Sequence, residues 1–168
     1  MVSEPGLPAG HDIVVRDNLC VGNAQGGVML GNWYSTDGSN VYNVQVLNNT
    51  LVNNAYGFVM RPFQGPTVVW KGNLLSGNAT NVYNILGTDV GTLDYNLYAG
   101  GTAGPDAHKV TGDPRFVNAA GGDYALQAGS PAQDAGDPSA TTDQVGTLDH
   151  AGRPRIGNGR VDIGAFER

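Results

Sequence analysis

Over the first hundred residues, apolar and polar side chains alternate in short bursts that stop repeatedly at Asn or Gly. Ile13 and Val15 are spaced by two, as are Val44 and Val46, and Val68 and Trp70. A period of two places these residues on one face of an extended chain, so the pattern predicts short strands with one buried side. Helix formers are scarce here, while Asn, Gly, Thr and Val dominate, which favours strands divided by turns and an all-β fold.

The bursts repeat. The phrases VVRDNLCVGN, QVLNNTLVNN and VWKGNLLSGN share one pattern, and LDYNLY is a shorter fourth copy. Aligning their central asparagines gives Asn18, Asn49, Asn73 and Asn96, and a second series, Asn23, Asn54 and Asn78, runs in phase with the first. A repeat in the low twenties fits one coil of a β-solenoid, in which each coil stacks on the next. Across coils the register sets Ile13, Val44 and Val68 together, then Val15, Val46 and Trp70, then Cys20, Leu51 and Leu75. These positions form the expected core, Cys20 among them as a packing residue. The asparagines at the bends are expected to form a ladder, each side-chain amide bonding the turn backbone and its neighbours in adjacent coils.

A third short strand is expected in each coil, at GGVML, YGFVM and TNVYN. Val28, Phe58 and Val82 should point inward, with Met29, Val59 and Tyr83 outward. The first coil is seven residues longer than the second, and its excess falls within GNWYSTDGSN, which reads as a protruding loop. Bending accounts for the Gly, Asn, Asp and Ser of that loop but not for Trp33 and Tyr34.

Composition narrows the classes of function. With 26 Gly and only 14% charged residues, the 168-residue chain is turn-rich, yet 40% hydrophobic content is enough for it to fold, as a single unit by its length. A net charge of -6 with nine scattered Lys and Arg speaks against a nucleic-acid partner. One cysteine allows no internal disulfide. The opening MVSEPGLPAG has neither the basic start nor the apolar run of a signal peptide or membrane anchor.

From Gly100 the periodicity stops. The remaining text holds DPRFV at Asp113 to Val117, GDYAL at Gly122 to Leu126, SPAQDAG at Ser130 to Gly136 and VDIGAFE at Val161 to Glu167. Together these resemble the closing segments of right-handed parallel β-helix proteins of the pectate-lyase-like superfamily. The resemblance implies a right-handed parallel β-helix of three to four short coils, divided as an N-terminal extension (1–11), coils (12–99) and an irregular capping tail on the last coil (100–168). It also implies a polysaccharide setting, often extracellular or periplasmic, without implying a reaction. Physically, a solenoid's last coil exposes an apolar cross-section that needs covering. Phe116, Tyr124, Leu126 and Phe166 are the expected buried anchors of the cap, with Arg153 or Arg155 pairing Asp162 or Glu167. The first coil has no comparable cover, so it is expected to self-associate or to continue into further coils of a longer β-helix.

A lyase needs a base and charge neutralisation beside a uronate, and a glycosidase needs two facing carboxyl groups. No complete set is legible. Arg61 in VMRPFQG is the single candidate for a catalytic role, and the candidate sugar-binding residues are Trp33, Tyr34, Asp37, Arg61 and Tyr83, because aromatic faces stack on sugars and a basic side chain attracts a uronate. Arg16 and Lys71 share an outward register and read as surface charges. His11, His108 and His150 lack zinc spacing. No metal site or cofactor is expected, with calcium left open at the tail aspartates. The expected function is polysaccharide binding, with a lyase or hydrolase completed by further coils, or a structural module, as alternatives.

Overall fold

A computed structural model describes residues 10–30, 41–60, 68–84 and 91–168. The fold is a parallel β-helix. Each of the first three coils supplies three strands: β1 (Gly10–Arg16), β2 (Leu19–Val21) and β3 (Gly26–Leu30); β4 (Val41–Leu47), β5 (Thr50–Val52) and β6 (Tyr56–Met60); β7 (Val68–Lys71), β8 (Leu74–Ser76) and β9 (Thr80–Asn84). A fourth coil supplies β10 (Thr92–Asp94) and β11 (Leu97–Ala99), and β12 (Val110–Thr111) adds a last rung. Three parallel sheets result, ordered β1-β4-β7-β10, β2-β5-β8-β11-β12 and β3-β6-β9.

The registers follow the sequence repeat. Ile13, Val44 and Val68 align, as do Val15, Val46 and Trp70, and Cys20, Leu51 and Leu75. The core runs down the solenoid axis from Val28 through Phe58 and Trp70 to Leu93 and Tyr98. Cys20 is half-buried against this core, and burial raises its thiol pKa.

Each coil turns two tight corners. The residue before each ladder position has a left-handed backbone: Asp17, Asn48, Gly72 and Tyr95 at the first corner, and Gly22, Asn53 and Gly77 at the second, with Gly100 the equivalent in the fourth coil. Asp, Asn and Gly tolerate this conformation best, which explains the DN, NN and GN pairs of the repeat. Tyr95 is the exception, and its ring is stacked on His108 at 4.6 Å.

Gly57 serves packing instead. A Cβ there would stand 2.5 Å from Leu75 Cδ2 and 2.6 Å from the Asn81 carbonyl oxygen. We expect Gly57→Ala to cost about 3 kcal/mol, the upper end for overpacking, measured by urea unfolding. Gly157→Ala, where a Cβ meets nothing within 4 Å, should leave the midpoint unchanged.

Three outward positions differ from expectation. Val59 shares its outward register with Met29 and Tyr83, yet it is buried, flanked above and below by those two neighbours. Arg16 and Lys71 are not free surface charges. Arg16 donates to the Val145 carbonyl at 3.0 Å, and Lys71 pairs with Asp137 at 2.8 Å, so both tie the tail to the first sheet.

The tail has regular parts: an antiparallel pair, β13 (Phe116–Asn118) and β14 (Asp123–Leu126), joined by a 3-10 turn (Ala119–Gly121), and one α-helical turn, α1 (Thr142–Val145). Tyr124 and Leu126 are buried, while Phe116 and Phe166 are half-buried; Phe116 pairs with Leu126 and packs against the cluster that holds Leu74 and Leu97. Its closing strap then runs back over earlier coils. Gly164 donates to the Gly72 carbonyl, Ala165 to Thr50 Oγ1, and Asn48 donates to the Asp162 carbonyl. The strap therefore covers the first corner of the second and third coils, and His150 reaches the Asp17 carbonyl of the first.

Candidate functional site

The asparagine ladder is present at Asn18, Asn49, Asn73 and Asn96. In each step the backbone N–H and the side-chain Nδ2 of one asparagine donate to Oδ1 of the next, at 2.9–3.0 Å. Asn49, Asn73 and Asn96 are buried. Their Nδ2 groups also bond carbonyls of the preceding coil at Val15, Val46 and Trp70. A second ladder joins Asn23, Asn54 and Asn78. Committed to these bonds, the asparagines hold the corners.

The first ladder ends on a residue that the repeat did not single out. Asp106 Oδ2 accepts from Asn96 N at 3.0 Å and Nδ2 at 2.7 Å, in the place of a fifth asparagine. Its other oxygen accepts from His108 N. An acceptor-only side chain fits a ladder terminus, where there is no further amide to receive a proton. Burial first, and then the Asp106 charge, push the Tyr98 hydroxyl upward in pKa.

The third sheet carries the described part of the sequence-predicted sugar site. Tyr83 on β9 is 39% exposed, and its ring stacks on Tyr56 of β6 at 4.4 Å and 15°. Among the described residues the sheet ends at β9, the strand that carries Tyr83. The strand ends Leu30, Met60 and Asn84 follow one line of coils, Leu30 pairing Met60 and Met60 pairing Asn84. Residues 31–40 and 61–67 follow two of these ends in sequence. They contain Trp33, Tyr34, Asp37 and Arg61, which lie outside the described residues. Tyr56 was not among the predicted site residues. Its phase matches Gly26 of the preceding coil and the parity of inward Phe58, so the repeat carried no signal for it.

A buried charge cluster fixes the strap. Arg155 is fully buried, with Glu167 Oε1 at 3.2 Å and Asp17 Oδ1 at 3.4 Å, and it donates to the Gly164 carbonyl. Arg153 donates to the Glu167 carbonyl. Thus Arg155 takes the carboxylate expected of one of the two arginines and adds Asp17 of the first coil. Burial, with Asp162 and Asp149 adding negative charge against the opposing pull of Arg155, raises the Glu167 pKa to about 8. Burial likewise raises Asp17 and Asp162. Asp137 behaves oppositely: partial burial works against its charge, but the Lys71 ammonium and the Ser139 donors outweigh it and hold the carboxyl down to about 2.

Among the described residues, no three His, Cys, Asp or Glu side chains converge as a metal site, and no helix is long and apolar enough to cross a membrane. The architecture defines the chain as an all-β parallel β-helix with laddered corners. No protein-family model matches the sequence, and no curated protein matches it.

Proposed function

We propose that this protein is a carbohydrate-associated β-helix module that binds a polysaccharide across the outward face of its third sheet. The observation that carries the reading is the Tyr56–Tyr83 stack at the last strand of that sheet. Tyr56 holds one face of the Tyr83 ring, and the exposed remainder offers an apolar surface of the kind on which sugar rings stack. Supporting it are the tail phrases shared with pectate-lyase-like β-helix proteins, and the aromatic Trp33 and Tyr34, the acidic Asp37 and the basic Arg61 in the segments following β3 and β6. Binding without turnover is placed before catalysis because no complete catalytic set is legible in the sequence.

The test is retention on immobilised pectate, alginate and neutral glycans. Tyr83→Ala, Trp33→Ala and Arg61→Ala are each expected to weaken retention about tenfold, as loss of a stacking or charged contact should. Unchanged retention in all three would remove the site from this face. Release of unsaturated product or new reducing ends would replace binding by a lyase or hydrolase reading.

A further inference from the structure

A concave site lies on another side of the solenoid, between the outward face of the first sheet and the tail. It is a cleft of about 290 Å³, at the small end of ligand sites, with Leu47 and Val69 as floor and Val145 of α1 as wall. The walls are held together by bonds already described: Lys71 to Asp137 at 2.8 Å on one side, and Arg16 to the Val145 carbonyl at 3.0 Å on the other. It is therefore formed before any ligand arrives.

Its polar groups have unused capacity. Gln45 stands outward in the register between Val14 and Val69, and its amide makes no hydrogen bond within the protein among the described residues. Gln144 accepts from Thr141 N through Oε1, which leaves its Nε2 as a donor at the cleft. Lys71 uses one of its three N–H donors on Asp137 Oδ2, and that oxygen retains a free lone pair. As an ion pair the two are neutral in sum. An anionic ligand would meet the Asp137 carboxylate and a cationic one the Lys71 ammonium. An amino-acid zwitterion would have to separate the pair. Two adjacent hydroxyl groups suit it unchanged, one accepting from Lys71 and one donating to Asp137. A compact ligand with such a diol and an apolar C–H face for Leu47 and Val69 is a pyranose.

We infer that this cleft binds one pyranose unit of a neutral sugar, with a vicinal diol on the Lys71–Asp137 pair, the ring face on Leu47 and Val69, and further hydroxyls on Gln45 and Gln144. The inference is independent of the reading of the third sheet, because the two sites share no residue.

The test is titration of the isotope-labelled full chain with glucose, galactose and mannose, beside galacturonate and alanine, following the side-chain amide resonances of Gln45 and Gln144. At least one neutral pyranose is expected to shift both amides saturably, with galacturonate and alanine weaker. Gln45→Ala should weaken the binding about tenfold, and Val69→Trp, which fills the floor, should abolish it. Both substituted side chains face outward, and an otherwise unchanged spectrum confirms the fold. Tyr83→Ala should leave these shifts intact. The inference is overturned by absence of saturable shifts at the two amides, by tighter binding of galacturonate or alanine, or by sugar binding that survives Val69→Trp and disappears in Tyr83→Ala.

Discussion

Asn73→Ala is expected to lower stability by roughly 3 to 5 kcal/mol, enough to bring a marginally stable chain close to unfolding. The change removes the acceptor of the buried Asn49 N–H, the donor to the Val46 carbonyl and the ladder bond to Asn96, and it leaves a small void. An orphaned buried donor costs about 1–3 kcal/mol, and lost bonds to the neighbouring coils add to it. For a chain of this length the melting temperature should fall by about 10 °C or more. Asn73→Asp keeps the Oδ1 acceptor but loses the donor and turns a carboxylate toward two carbonyl oxygens, so it should not rescue. Asn18→Ala removes a ladder asparagine that is exposed and has described partners on one side only, and should cost less than about 1 kcal/mol. Equal losses at the two positions would mean that the ladder follows the fold without stabilising it.

Why the ladder was legible and other features were not is a matter of range. The ladder and the core registers depend on residues one coil apart, and one coil is the unit that repeats in the sequence. Left-handed corners left a trace too, since Asp, Asn or Gly precedes the ladder asparagine in three coils, although Tyr95 in the fourth breaks the pattern. Asp106 was missed because its role is defined by the place where the repeat fails. The fates of Arg16, Lys71 and Asp17 were hidden for a different reason. Their partners Val145, Asp137 and Arg155 belong to a segment without period, and the return of the strap over earlier corners is set by contacts more than sixty residues apart. Of the candidate sugar-binding residues, Tyr83 was readable as outward because strand alternation fixes its side. Its stacking partner Tyr56 lies at the same strand parity as inward Phe58, so alternation alone assigns it the wrong face.

Replacing Arg155 by Met should destabilise the folded chain by about 3 to 5 kcal/mol near pH 8, because loss of this buried guanidinium would leave Asp17, Asp149, Asp162 and Glu167 without its compensation. Near pH 5 the loss should be smaller, since the raised carboxyl groups can take up protons instead. The unsubstituted protein carries the same signature. Glu167 has an ordinary value of 4.5 and a folded value of about 8, so the folded state holds a proton that the unfolded state releases. Stability from this group is complete below 4.5, declines as pH rises, and is gone above 8. Asp17 and Asp162, also raised, act with the same sign from lower pH. Asp137, held down to about 2 from 3.8, contributes stability that is present above 3.8 and lost as pH falls through 2. These opposing slopes place maximum stability at about pH 4 to 5. Urea midpoints across the range should peak there, and Glu167→Gln, which keeps an acceptor for Asp162 N but cannot ionise, should flatten the alkaline decline. A midpoint that instead climbs from pH 5 to 8 would show that Arg155 outweighs burial and keeps Glu167 ionised throughout, making the cluster a simple ion pair with its charges in balance.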